Sequence, residues 1–205
     1  QVYDSFEDKT LLREELTPQQ AMCMLHFLKS HNVLRGVYID GLGHMSREDF
    51  SEIEAVAATP ATAALMRRSY QTDEDLDAVT AQHNSVQKII AFFRNPDDKQ
   101  ATIHEITSRF PGYAVSSSLG NNIEINAKNA TKGSALCFLC EKIGVPIGQC
   151  MAFGDGTNDY SMLRAAGFGV AMGNASEEVQ SCADAVTETN EEDGVARMIE
   201  RVLGL

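Results

Sequence analysis

Residues 132–173, KGSALCFLCEKIGVPIGQCMAFGDGTNDYSMLRAAGFGVAMG, decide the fold. Apolar positions recur at helical spacing over 132–143 and run continuously over 149–153. A second helix over 159–166 and a second apolar run over 168–172 follow. Gly144, Gly154 and Gly167 punctuate the links. The alternation continues with a helix over 176–182, a strand over 185–187 and a helix over 192–202. Helix and strand in strict turn, joined by short links, predict half of a doubly wound parallel α/β sheet.

Upstream the rhythm is different. Thr17, Pro18 and Gln20 write a helix start, with a capping residue, a proline at the first helical position and a capping-box partner three residues on. Met22, Leu25 and Leu28 give that helix its apolar stripe, and Asn32 stops it. Strand, turn (40–43) and strand are expected over 33–44, then short helices over 52–58 and 74–80 separated by Pro60. The apolar run 87–93 reads as a buried strand. Pro96, Asp97 and Asp98 open a helix carrying Ile103, Ile106 and Phe110, and 113–117 and 122–126 form two strands joined by Leu119-Gly120-Asn121. Residues 17–126 therefore form an α+β unit, with residues 1–16 before it and the alternating helices and strands of 127–205 after it.

The 205 residues suffice for a two-part chain, and 43% hydrophobic with 22% charged residues exclude disorder and fibrous architectures. No apolar stretch is long enough to span a bilayer, so no membrane partner is expected. The net charge of -12 argues against nucleic acid held by bulk electrostatics. An anionic substrate would need a local cation. Five cysteines (Cys23, Cys137, Cys140, Cys150, Cys182) are sparse and odd in number, the opposite of a secreted disulfide framework, so a cytoplasmic location is expected.

Gly154-Asp155-Gly156-Thr157-Asn158-Asp159 follows directly on an apolar strand. In an open parallel sheet the ligand crevice lies at the carboxyl ends of the strands, which is where Asp155 falls. Two carboxylates four residues apart suit the hard, oxygen-seeking Mg2+. Other loop motifs fail: Asp159 stands where a dinucleotide fingerprint needs its third glycine, no lysine follows as in a P-loop, and a calcium loop begun at Asp155 meets Tyr160 instead of Gly and Ala166 instead of Glu. About twenty residues upstream, Thr131-Lys132-Gly133-Ser134 places an ammonium at a helix N-terminus, where backbone N–H groups already favour an anion.

Taken together, Lys132-Gly133-Ser134-Ala135-Leu136, Phe153-Gly154-Asp155-Gly156-Thr157-Asn158-Asp159-Tyr160-Ser161-Met162-Leu163, Gly169 to Ala175 and Asn190 to Val195 resemble the Cof-type branch of the haloacid dehalogenase superfamily of phosphatases. The likeness covers residues 120–205 with specific motifs and 1–119 more loosely. It implies Mg2+-dependent hydrolysis of small phosphorylated metabolites, sugar phosphates among them, through an aspartyl-phosphate. Lys132 would neutralise the phosphate and the intermediate, Asp155 would bind Mg2+ with Asp159 as its acidic companion, and Asn158 would lie near the phosphate. Residues 17 to about 120 would be a mobile cap that selects the substrate.

The family's nucleophile lies in an Asp-x-Asp-Gly-Thr motif, and nothing of that form precedes Lys132. Ile39-Asp40-Gly41-Leu42-Gly43 is the nearest imitation, with Tyr38 where the first Asp is required. The expectation is a fragment whose parent has an N-terminal core segment carrying the nucleophile, and which by itself is inactive. The alternative is a non-catalytic phospho-ligand-binding or regulatory module. Cys137 and Cys140 have the spacing of a redox or metal pair but read as buried structural thiols mid-helix. The five histidines are scattered without ligand spacing. His44, Arg47, Ser117, Ser118 and Asn122 lie near turns that could face a substrate, and Arg67-Arg68 could attract an anionic tail or solubilise a helix end.

Overall fold

The structure, a computed structural model, describes residues 1–117 and 120–205. It divides into two compact units, one of Gln1–Arg13 with Ala130–Leu205 and one of Glu14–Asn129.

The Glu14–Asn129 unit is α+β. Its helices are α1 (Pro18–Leu28), α2 (Arg47–Ser51), α3 (Pro60–Ser69), α4 (Leu76–Gln82) and α5 (Asp98–Arg109). Strands β3 (Val33–Ile39), β4 (Leu42–Ser46), β5 (Tyr70–Asp73), β6 (Lys88–Phe93), β7 (Tyr113–Ser116) and β8 (Asn122–Ala127) form one sheet in the order β5-β4-β3-β6-β8-β7. Only β4 and β5 run parallel. Alternate residues of a strand face opposite sides, and here both sides are buried. Val33, Val37, Ile39, Ile89, Ala91, Phe93, Ile123 and Ile125 join α1, α4 and α5 in one core, while Leu34, Ile90 and Phe92 pack with Ile53, Val56, Ala63 and Met66 in the other. That double burial explains why β6 reads as an unbroken apolar run. Burying a side chain such as Phe93 is worth about 2–3 kcal/mol.

Three expectations are corrected. The buried stripe of α1 is Ala21, Met24, Leu25 and Leu28 rather than one led by Met22. Pro60 does not separate two helices: it opens α3, with Thr59 as N-cap accepting from the Thr62 N–H. It is the same Thr-Pro start as in α1. The helix expected over 52–58 is instead α2, capped by Ser46, followed by a single 3-10 turn, Ile53–Ala55. The β3–β4 turn puts Asp40 at φ 49 and Gly41 at φ 82, the left-handed pair of a tight hairpin. The expected Leu119-Gly120-Asn121 link includes Leu119, outside the described residues.

The other unit holds a two-stranded antiparallel ribbon, β1 (Val2–Asp4) with β2 (Lys9–Leu12), and a parallel sheet β11-β10-β9. The latter comprises β9 (Met151–Gly154), β10 (Phe168–Ala171) and β11 (Ala185–Val186), interleaved with α6 (Lys132–Ile143), α7 (Tyr160–Ala165), α8 (Glu177–Gln180) and α9 (Gly194–Leu203). α6 starts at its Thr131 cap and stops at Gly144, φ 72, the left-handed C-cap that glycine accommodates. This is the mixed α/β architecture with a separate α+β unit that the residue pattern predicts; β9 and the six-stranded sheet are not continuous.

Candidate functional site

β9 delivers Gly154 to the carboxyl edge of the parallel sheet, where Gly154 O accepts from the Met172 N–H at 2.9 Å. The chain then turns through Asp155, Gly156, Thr157 and Asn158 into α7. Asp159, 3% exposed, folds its carboxylate back over that turn. Its Oδ2 accepts from the N–H of Asp155 at 3.0 Å and of Gly156 at 3.1 Å, and its Oδ1 accepts from Lys132 Nζ at 2.5 Å. One buried carboxylate thus shapes the loop and holds the lysine of the neighbouring helix.

Glycines make this possible. A Cβ on Gly154 would stand 2.5 Å from the Asp159 Cβ, and one on Gly156 would meet Asn158 Oδ1 at 2.6 Å. A Cβ on Gly133 would stand 2.3 Å from the Ser161 carbonyl oxygen, so only glycine lets the first turn of α6 close on α7. There the Gly133 N–H donates to Ser161 Oγ at 3.0 Å. Thr131 Oγ1 takes the Ser134 N–H at 3.1 Å, so the start of α6 is fixed from two sides.

The two aspartates have different surroundings. Asp155 is exposed, and its carboxylate accepts from the Asn174 amide, whose Nδ2 donates to Oδ2 at 3.3 Å. Asn174 is itself oriented by the Asn190 N–H, which donates to its Oδ1 at 3.1 Å. Asp159 by contrast has both oxygens engaged. Asn158 is half-buried, and the Lys132 side chain is 50% exposed, so an anion can reach its ammonium from solvent. Asn174 and Ser161 both lie within the motifs, but their contacts depend on packing: on β10 ending beside β9 for Asn174 and on α6 meeting α7 for Ser161.

Asp155 suits Mg2+ as one ligand. It is a hard carboxylate with an open oxygen at a glycine-flanked turn, and Mg2+ is commonly held by one or two carboxylates together with water and phosphate oxygens. Among the described residues no group of three or more His, Cys, Asp or Glu is assembled.

The other candidates are scattered. His44 Nδ1 pairs with Asp73 Oδ2 at 2.9 Å, and Arg47 reaches Glu74 at 3.5 Å. Arg67 is committed to Glu54, and the Ser117 hydroxyl receives Lys99 Nζ at 2.8 Å and lies 3.5 Å from the buried Asn122 amide oxygen. Ser118 lies outside the described residues. Cys140 is buried as expected, but Cys137 is exposed. No helix among the described residues is long and apolar enough to cross a membrane.

Comparison with known proteins bears on the family and the fold. The profile of the haloacid dehalogenase-like hydrolases matches residues 1–199. Phosphatase YwpJ of Bacillus subtilis is 51% identical over 87 residues, covering 42% of this chain and 30% of the relative. The 5-amino-6-(5-phospho-D-ribitylamino)uracil phosphatase YcsE of the same organism is 42% identical over 103 residues, 50% of this chain and 41% of the relative. The matched stretches thus span only 30–41% of the length of these curated relatives. A solved haloacid dehalogenase-like hydrolase from B. subtilis superposes with a TM-score of 0.80 at 28% identity, over 97% of this chain and 75% of that one. With the profile match running through nearly every residue described above, the chain belongs to the haloacid dehalogenase-like hydrolases.

Proposed function

We propose that the Lys132–Asp155 crevice handles the phosphoryl group of small phosphorylated metabolites, sugar phosphates among them, in a Mg2+-dependent phosphomonoester hydrolysis carried out in the cytoplasm. The observation that carries this reading is the single buried carboxylate of Asp159, which holds the Lys132 ammonium beside the Asp155 loop. Lys132 offers the phosphate a charge at the N-terminus of α6, where backbone N–H groups add to it. Asn158 would donate to the phosphate from the loop. We assign Asp155 as the metal ligand and Asp159, expected beside it in that role, as the support that fixes both groups. Mg2+ bound there would supply Lewis-acid polarisation of the phosphate oxygens.

Covalent chemistry through an aspartyl-phosphate needs a nucleophilic carboxylate in an Asp-x-Asp-Gly-Thr setting, which these 205 residues do not contain. We therefore infer that this chain binds phosphate and Mg2+ without turnover of its own, as one part of such a site. That same observation favours the second reading, a phospho-ligand-binding module. The test is hydrolysis of p-nitrophenyl phosphate and a sugar-phosphate panel with Mg2+, by this chain and by the product of the full-length gene. Turnover by the full-length product alone supports the hydrolase reading, and turnover by neither favours the binding module. Turnover by the chain itself that disappears on Asp155→Asn overturns the proposal, because another carboxylate would then be acting as nucleophile.

A further inference from the structure

Cys140, in the last turn of α6 and 3% exposed, has its Sγ 3.1 Å from Sγ of Cys150, the residue just before β9. This is closer than two sulfurs in ordinary packing, and an approach of about 1 Å would bring them to the 2.03–2.05 Å of a disulfide. The nine residues between them turn through Gly144, which the Val145 N–H closes by bonding to Cys140 O at 2.9 Å, and through the 3-10 turn Ile147–Gln149. The backbone on both sides is therefore set. Neither sulfur belongs to the phosphate crevice, and Cys137, one turn earlier on α6, points to solvent.

We propose that Cys140 and Cys150 are a reversible oxidation site that forms an intramolecular disulfide when the protein meets a peroxide. Cys150 is the part-exposed member, so the oxidant reaches it first. Its thiol sulfur attacks one peroxide oxygen, giving Cys150 sulfenic acid and one water. The Cys140 sulfur then attacks the sulfenic sulfur, forms the S–S bond and releases the second water. Two thiols lose two electrons and two protons in all, and hydrogen peroxide is reduced to water. A dithiol reductant reverses the bond by exchange. Transient, redox-sensing disulfides are the kind found in reducing compartments. The Cys150 contact, with burial, pushes the Cys140 thiol above its ordinary value, so Cys140 rests as the protonated thiol.

The bond would tie the C-terminal turn of α6 to the start of β9. These are the ends of the two elements opposite to Lys132 and Asp155, so oxidation should rigidify the unit without touching the crevice. The experiment treats the reduced protein with hydrogen peroxide, alkylates the remaining thiols and maps tryptic peptides. Cys137 and Cys140 share the peptide between Lys132 and Lys142, so the mapping is repeated in Cys137→Ser. The expected result is a linked species lacking two hydrogens that joins residues 133–142 to 143–164. It persists in Cys137→Ser, is absent in Cys140→Ser and Cys150→Ser, and reverts with dithiothreitol. Oxidised protein should also melt several degrees higher than reduced protein, a shift missing from both serine variants. A link through Cys137, an intermolecular dimer, or alkylation of both Cys140 and Cys150 after peroxide has consumed other thiols would overturn the proposal.

Discussion

Removing the Asp159 side chain separates its structural duty from that of the lysine it holds. In Asp159→Ala the N–H groups of Asp155 and Gly156 lose their acceptor, and Lys132 loses its partner. Hydrogen bonds to a buried charged group contribute about 1.5–3 kcal/mol each, so two of them amount to roughly 3–6 kcal/mol. The lysine is half exposed, so solvent screening reduces that pair to at most about 1 kcal/mol. Domain stabilities are only about 5–15 kcal/mol, so Asp159→Ala should leave the parallel-sheet unit marginal or unfolded. Lys132→Ala, which keeps both loop hydrogen bonds, should cost about 1 kcal/mol or less. Urea unfolding followed by circular dichroism, with hydrogen exchange at Asp155 and Gly156, reads both effects. Equal costs for the two variants, or an Asp159→Ala protein within about 0.5 kcal/mol of the parent, would refute the reasoning.

Gly133→Ala places a methyl 2.3 Å from the Ser161 carbonyl oxygen, so α6 and α7 must separate; a loss of about 1–3 kcal/mol is expected by denaturation. Thr17→Ala removes the capping box of α1 and should destabilise the Glu14–Asn129 unit by about 1 kcal/mol, with Thr17→Ser restoring most of it. Burial raises the Asp49 carboxyl above its ordinary 3.8, against a partial opposing pull from Arg35 3.6 Å away. The folded state therefore holds this proton more tightly than the unfolded chain. Its contribution to stability is greatest below pH 3.8 and falls as pH rises through the raised value. Relative to Asp49→Asn, the parent should lose stability across that window, and a parent that gains stability there would contradict the assignment.

What could be read from residues alone was what local chemistry dictates. The Thr17-Pro18 start, the α6 limits at Thr131 and Gly144, and the alternation after residue 128 are written in caps, glycines and apolar period. Thr59-Pro60 carries the same start signal for α3, with proline a first-turn residue and not a breaker. β5 was invisible because four residues with one buried side chain carry no pattern of their own; its place comes from pairing with β4. At the site, Lys132, Asp155 and Asp159 stood out by motif. The division of labour between the two aspartates did not, since burial and the Lys132 contact depend on how α6 packs against the turn at Asp159 and α7. The Asn174 contact likewise joins separate elements, and the Cys140–Cys150 contact depends on how the nine-residue link between α6 and β9 folds back.

Whether Lys132 and Asp155 belong to one phosphate-handling site is read by titrating inorganic phosphate into the protein with and without Mg2+, followed by calorimetry and by the Lys132 Nζ resonance. Phosphate binding should shift that resonance and be strengthened by Mg2+. Lys132→Ala should weaken phosphate binding whether or not Mg2+ is present, and Asp155→Asn should abolish only the Mg2+ enhancement. Phosphate that binds equally well to the parent and both variants, or that leaves the Lys132 resonance unmoved, would contradict the account.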